Sequence, residues 1–388
     1  MKTIKLTNEI KNDQYTEYVY ESFDIQDRKN TEFEINHNLQ NLGDFNWNII
    51  VIYGGSGSGK STILKSLGDV SDPIFDNSKA LISNFDWLEP KEATKILSSV
   101  GLSSVPSWLR PFDKLSNGEQ YRALIAYKLA KSLDQDIVLI DEFTSVVNRD
   151  VAKSMSFAIQ KFIRKHNKRV VFASCHYDIF EWLMPDYILS PEKGGALEKC
   201  EYLRQGKPKI ELSVYRCKSK IWDLFKKHHY LTQEANPAYI YLLFELNNKP
   251  IAINVLGIQV GKTDCFKSYR ESRIVVLPDY QGMGIGSAIS EFCAGISKNT
   301  NCNYYTKTSN PALGEYRNLY FNKWKPTGHN GKIRNDKVDP LNKYNNLRKS
   351  IHYCHKYIGK SINGFNDLLL PIDKLRYLDE HKHQLTLF

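Results

Sequence analysis

No uncharged apolar run in the 388-residue chain approaches the roughly 18–20 residues that a membrane helix needs, which excludes a helical span. The opening residues, MKTIKLTNEIKNDQ, lack the apolar core of a secretory signal, so a cytoplasmic location is expected. Paired cysteines are missing too. The seven cysteines, at 175, 200, 217, 265, 293, 302 and 354, form no CxxC pair and no Cys/His cluster with zinc spacing. An odd, scattered set fits reduced thiols and excludes a disulfide framework. Cys175 stands beside a motif residue but reads as a small buried filler. Internal repeats and low-complexity tracts are also absent.

What is present is the composition of a folded protein, with 41% hydrophobic, 25% charged and 12% aromatic residues. The length fits two or three domains. The net charge of +10 is unevenly placed: residues 1–210 carry 27 Lys/Arg against 28 Asp/Glu, and residues 211–388 carry 26 against 15. A basic second half suits a polyanionic partner such as nucleic acid. The alternative is a genome bias, because the chain is also rich in Asn, Lys, Ile and Tyr.

Residues 48–53 (NIIVIY), 136–140 (DIVLI) and 169–173 (RVVFA) read as buried strands, and helical patterns such as TILKSL alternate with them. Alternation predicts a mostly parallel α/β sheet over roughly residues 1–200. Residues 87–115 form a Ser/Pro/Trp-rich helical stretch. The Gly/Pro/Lys-bearing stretch 191–209 reads as a domain junction. Beyond it come a helical segment, IWDLFKKHHYL, strands at 239–245, 251–260 and 273–277, a helix at 284–298, a strand near 303–306 and a helix around 311–322. The last 60 or so residues show no clear periodicity before about 365.

GGSGSGKST at 54–62 fits G-x-x-x-x-G-K-[ST], with Gly54, Gly59, Lys60 and Ser61 at the fixed positions. Between strand and helix, such glycines let backbone amides wrap a phosphate chain, so Gly54, Gly55, Ser56, Gly57, Ser58, Gly59, Lys60, Ser61 and Thr62 are candidate ATP contacts. Lys60 adds a positive charge for the β/γ-phosphates, and the Ser61 hydroxyl can ligate Mg²⁺. DIVLIDEF (136–143) ends an apolar strand in two carboxylates. Asp141 would hold Mg²⁺ through water, and Glu142 would orient or deprotonate the attacking water.

LSNGEQ (115–120) resembles the LSGGQ signature of ABC ATPases. The resemblance implies that Ser116 and Gly118 reach the γ-phosphate of ATP on a second subunit, hence a head-to-tail homodimer. Taken alone, the alternative for the segment is a Ser-capped helix start. FTSVVNR (143–149) sits where that family carries its D-loop, with Asn148 in place of Asp. His176 matches the switch histidine, although a lone histidine after a strand is often structural. The Q-loop residue is unresolved between Asn84 and Asp86, and the adenine-stacking ring between Tyr20 and Phe23. Without a membrane segment, soluble ABC ATPases acting on nucleic acids or as clamps are the nearer comparison.

SRIVVLPDYQGMGIGSAI (272–289) is a strand, a Pro-marked turn and a glycine-opened helix. Gln281-x-x-Gly284-x-Gly286 resembles the acyl-CoA loop of GNAT acetyltransferases, in which amides and a helix dipole face a pyrophosphate. That resemblance assigns Val276, Leu277, Gln281, Gly282, Met283, Gly284, Ile285 and Gly286 to acetyl-CoA. A Rossmann reading fails, because the preceding strands form a meander. Catalysis needs a base for the acceptor amine and an acid for the departing thiolate. Tyr320 is the candidate acid or else a core residue, and Glu271 the candidate base, directly or through water. His228, His229 and Tyr230 lie where that family recognises its acceptor, with helix packing the alternative for His229 and Tyr230.

In this order the motifs resemble a bacterial and phage-borne family that fuses a soluble ABC ATPase to a GNAT domain. The second half is more loosely similar to phage Mom proteins, which modify adenine in DNA. The expected fold class is α/β: an ABC-type P-loop ATPase domain over 1–205, an α+β GNAT acyltransferase domain over 206–328, and a basic extension over 329–388. Within 321–360 lie Lys323, Lys325, Lys332, Arg334, Lys337, Lys343, Arg348, Lys349, Lys356 and Lys360, interleaved with Tyr344, Tyr353 and Tyr357. Cations for phosphates and rings for bases would suit nucleic acid, and a solvated extension is the alternative. The expected function is ATP-dependent acyl transfer from acetyl-CoA, with Mg²⁺, to a nucleic-acid base. The alternative is a protein or small-molecule acetyltransferase with a regulatory ATPase half.

Overall fold

The computed structural model describes residues 1–8, 10–25, 31–39, 42–43, 45–132, 136–200, 209–229, 234, 236–259, 268–333, 351–370 and 383–387. They fall into two compact units. The first comprises Met1–Pro73, Lys128–Ala152 and Gln160–Arg204, and the second Ile74–Tyr127, Lys153–Ile159 and Gln205–Phe388.

In the first unit, β1 (Lys2–Asn8) and β2 (Thr31–His37) pair antiparallel, with α1 (Gln14–Ser22) between them in sequence. Asp13 starts α1 by a capping box with Thr16. A five-stranded sheet follows in the order β4 (Ile137–Ile140), β5 (Arg169–Ser174), β3 (Ile49–Tyr53), β6 (Tyr187–Leu189) and β7 (Leu197–Lys199). All but β7 run parallel. Every residue of β3 is buried, the continuous apolar run of a strand covered on both faces. Ile50, Ile52, Leu139, Val171, Ala173 and Leu189 of the sheet pack with Ile63 and Leu64 of α2 (Lys60–Leu67). Parallel direction places the carboxyl ends of β3, β4 and β5 on one edge, where open α/β sheets take their ligands. The short α7 (Ile179–Leu183) follows β5.

The second unit holds α3 (Pro90–Ser99) and the single-turn α4 (Val105–Trp108). Helices α5 (Asn117–Lys131) and α6 (Arg149–Lys165) contribute residues to both units. Its large sheet orders β13 (Trp324–Pro326), β15 (Ile351–Tyr357), β12 (Asn303–Thr308), β11 (Ser268–Val276), β10 (Lys249–Gln259), β9 (Ile240–Leu246), β8 (Ile210–Cys217) and β16 (His383–Leu387). The short β14 (Lys332–Ile333) pairs with β15. Asn247 and Asn248 both adopt positive φ, the two-residue turn whose twist suits the β9–β10 hairpin. One pair, β11–β12, is parallel, and it joins only Ser268–Glu271 to Asn303–Thr306, so β11 runs on to Val276 without β12. Helix α8 (Ile285–Asn299) crosses over between these two strands, and α9 (Pro311–Leu319) follows β12.

Three findings depart from the sequence reading. Ile74–Tyr127 pack in the second unit, not in the expected 1–205 domain, because Gly101–Ser103 and Arg122 seat on the loop after β11. Residues 351–357, expected within a basic extension, are an internal strand of the large sheet. The segment IWDLFKKHHYL forms 3-10 turns over 219–224 and 226–228, since Trp222 and Phe225, three residues apart, both enter the core. Tyr230, Cys265 and residues 334–350 lie outside the described residues.

Candidate functional site

Loop 54–59 joins β3 to α2 and depends on its glycines. Gly57 and Gly59 take φ of +79° and +91°, which non-glycine residues rarely adopt, and a Cβ on Gly59 would lie 2.4 Å from Cδ1 of Ile35. Gly59 caps α2 and supplies no side chain to its free amides. Lys60 folds its Nζ back to the Gly55 carbonyl at 2.5 Å and to Ser58 Oγ at 3.4 Å. Sequence reasoning missed Glu192, whose Oε1 accepts from the Gly55 amide at 2.9 Å. No motif marks a residue 137 positions away from its partner.

The other candidates of this edge follow neighbouring strands. Asp141 and Glu142 leave β4, and Asp141 Oδ1 accepts the Glu142 amide at 2.9 Å. Glu142 itself sits at φ +48°, a conformation that stores backbone strain at the residue expected to handle water. Ser174, at the end of β5, donates to the Phe143 carbonyl at 2.8 Å and accepts the His176 amide at 3.1 Å, tying the histidine segment to the acidic one. Arg149 bonds Asp178 and Thr144. Asn148, the departure from the D-loop pattern, caps α6 by accepting the Val151 amide at 2.9 Å. Cys175, expected as a buried filler, is exposed. Asn84 is spent on a local turn with Asp76 and Ala80, whereas Asp86 is exposed. Of the two adenine candidates, Tyr20 is buried and Phe23 exposed.

The donor set suits Mg²⁺. Among the described residues no cluster of three or more His, Cys, Asp or Glu could hold a metal alone. The Ser61 hydroxyl and the Asp141 carboxylate are hard oxygen donors of the kind Mg²⁺ takes.

In the second unit, Ser116 opens the signature-like helix by a capping box. Its amide donates to Glu119 Oε2 at 3.0 Å, and its hydroxyl donates to the same oxygen at 2.9 Å. Ser107 Oγ donates to the other oxygen at 2.6 Å. The same segment lines a cleft of about 580 Å³ whose walls include Arg110, Ser116, Glu119, His228, Pro278 and Asp279. Burial, reinforced by the Lys227 charge, pulls the His228 imidazole below its ordinary range.

The loop after β11 matches the phosphate loop in kind. Gly282 and Gly284 take φ of +92° and +84°, and Gly284 caps α8 without a side chain. Met283 and Ile285 are buried, and a Cβ on Gly286 would touch Val276 at 3.4 Å. The Leu277 amide is taken by the Ile251 carbonyl at 2.8 Å. Gln281 uses both ends of its amide within the protein, donating to the Val276 carbonyl and accepting from the Ser103 amide, each at 2.8 Å.

The expected acid and base of this half fare differently. Glu271 lies within β11 and accepts from Arg317 at 2.7 Å, Ser290 at 2.6 Å and Tyr304 at 3.0 Å. This is a buried structural carboxylate, not a free base, because both oxygens are spent on donors. Tyr320 ends α9, 44% exposed, with its ring 4.5 Å from that of Tyr316. His229 is buried beside the Trp222 ring at 5.5 Å, and burial, with the Arg273 charge adding, pushes its imidazole down to about 4. Within the described part of 321–360, Tyr357 is buried against Trp324, and the half-buried Tyr353 packs on Gly314. Lys325 and Lys332 are exposed.

Residues 207–320 match the Acetyltransferase (GNAT) family. A search of curated proteins finds no match. Among solved structures, the chain is similar to the dimeric post-hydrolysis state of the ATP-binding cassette MJ0796 bound to ADP and Pi, at 19% identity over 45% of this chain and 91% of that one, with a TM-score of 0.34. It is also similar to cbiO1 from Clostridium perfringens, part of an ABC transporter complex, at 16% identity over 44% of this chain and 79% of that one, with a TM-score of 0.32. At such values the ATPase reading rests on the chain's own residues. Among the described residues no helix is long and apolar enough to cross a membrane.

Proposed function

We propose that the chain binds and hydrolyses ATP with Mg²⁺ at loop 54–62 and transfers an acyl group from acetyl-CoA bound at loop 276–286. One observation carries this reading. Two glycine-capped helices, α2 and α8, each open at a loop of positive-φ glycines at the end of a strand, leaving their first amides without side-chain caps. Such ends receive phosphates. Lys60, Ser61, Asp141, Glu142 and His176 then serve ATP. The separation of β11 from β12 beyond Glu271 leaves the strand edge along which a pantetheine arm would lie.

The likeness of LSNGEQ to the ABC signature supports a homodimer in which Ser116 and Gly118 meet ATP bound to the second copy. The acceptor we propose is an amino group of a nucleic acid, favoured by the basic second half. Burial of Tyr357 and packing of Tyr353 on Gly314 favour a second reading, a protein or small-molecule amine, since these two of the three rings expected to stack on bases pack within the protein. Incubation with labelled acetyl-CoA and separate pools of DNA, RNA and protein tests both. Label in nucleic acid supports the first, label in protein or a small amine the second, and no CoA release on any pool overturns transfer altogether.

A further inference from the structure

The acyl-CoA loop is held by residues far from it in sequence. Ser103, between α3 and α4, donates its amide to Gln281 Oε1 at 2.8 Å. Gly101 and Gly282 meet back to back: a Cβ on Gly282 would lie 3.1 Å from Gly101 Cα and 2.6 Å from Ala158 Cβ, and one on Gly101 would lie 3.2 Å from the Gln281 carbonyl oxygen. Ser154 of α6 donates to the Asp279 carbonyl at 2.7 Å. Beneath this contact lies Arg122 of α5, fully buried, with Nη2 3.9 Å from Asp279 Oδ1 and no hydrogen-bond partner on its three nitrogens. A buried guanidinium left this weakly paired is expensive, so its pairing with Asp279 is sensitive to small shifts of α5. The helix that begins with the signature-like segment thus bears directly on the loop that opens α8.

We infer that nucleotide engagement at segment 115–120 and acyl-CoA binding at loop 281–286 are thermodynamically coupled, with Arg122 as a positioning residue for that loop. The inference rests on the two-site reading above. A signature that closes on ATP bound to a second copy moves α5, and with it Arg122 relative to Asp279. Coupling of this kind is reciprocal: each ligand shifts the other's affinity by the same factor.

Isothermal titration of the full-length chain tests it, with CoA titrated in the presence and absence of Mg²⁺ and a saturating non-hydrolysable ATP analogue, then in the reverse order. The expected result is a change of about fivefold or more in CoA affinity, matched in the reverse titration. Arg122→Met should bring the factor toward one while each ligand still binds alone, and Arg122→Lys should restore part of it. Should Arg122→Met not fold, Ser154→Ala removes another tie to Asp279 and should lower the factor in the same sense. Two bound ligands with a factor of one in the parent protein, or an undiminished factor in the folded variants, overturns the inference. Failure of either ligand to bind the parent protein alone removes the two-site reading, and the coupling with it.

Discussion

Arg317 and Glu271 form an ion pair 2.7 Å long with side-chain exposures of only 1% and 6%, joining α9 to β11 through the interior. Ser290 of α8 bonds both partners, and Arg317 lies 4.8 Å over the Trp324 ring. Removing one member of such a pair strands a buried charge, at about 3–5 kcal/mol. Arg317→Met is therefore expected to lower the urea midpoint sharply, and Glu271→Gln to lower it less, since the amide keeps an acceptor for Tyr304. A Glu271→Gln protein with parental stability but abolished transfer would return the glutamate to the role of base.

The C-terminal residues are expected to be indispensable to the second unit. β15 lies between β13 and β12, Tyr353 fills the space left by Gly314 of α9, and Arg216 of β8 bonds the carbonyls of Leu368 and Leu370. A chain ending at residue 350 exposes one side of β12 and leaves Arg216 unpaired. It should appear in the insoluble fraction or lose its cooperative melt. A soluble truncation with an intact melt and CoA binding would show instead that these strands are accessory.

Much of the first unit was legible because its signals are local. β3, β4 and β5 are short apolar runs bounded by turn residues, and the glycines of 54–59 announce their own backbone. β15 was not, since IHYCHKY carries no aliphatic alternation and its burial comes from the partners it finds. β8 alternates at Ile210, Leu212 and Val214, but its next inward position is the buried Arg216, a cation that breaks the apolar pattern. The role of Glu271 could not be read either, because its donors Arg317, Ser290 and Tyr304 come from three other elements. Arg122 carries no motif that marks it in the sequence. Its burial against Asp279 is a tertiary fact with no sequence period.

Glu142→Gln is expected to cut ATP hydrolysis by at least about a hundredfold, the scale of a lost proton-transfer group, while leaving ATP binding in place. The substitution keeps the side chain's shape at φ +48°, so the fold of the loop should survive. Phosphate release and ATP retention measured on the same protein check this. Lys60→Ala should differ, losing binding itself, if its ammonium meets the phosphates as proposed. Normal hydrolysis in the glutamine variant would show that Glu142 is not the group that handles the attacking water.

Acid should destabilise the chain through His229 in a defined window. Burial and Arg273 hold its imidazole at about 4, below the 6.5 of an exposed histidine. Between those values the unfolded chain binds a proton that the folded one refuses, so stability falls as pH drops from about 6.5 to 4, by at most about 1.4 kcal/mol per pH unit. His355, also pushed down to about 4 by burial and by Arg317, acts in the same sense. Carboxylates add their own acid loss, but it cancels when two proteins are compared at each pH. The gap in urea-unfolding free energy between the parent chain and His229→Phe should therefore change steadily across this range and level off on either side. A gap that stays constant from pH 7 to pH 4 would mean that the imidazole is reached by water and titrates like any exposed histidine.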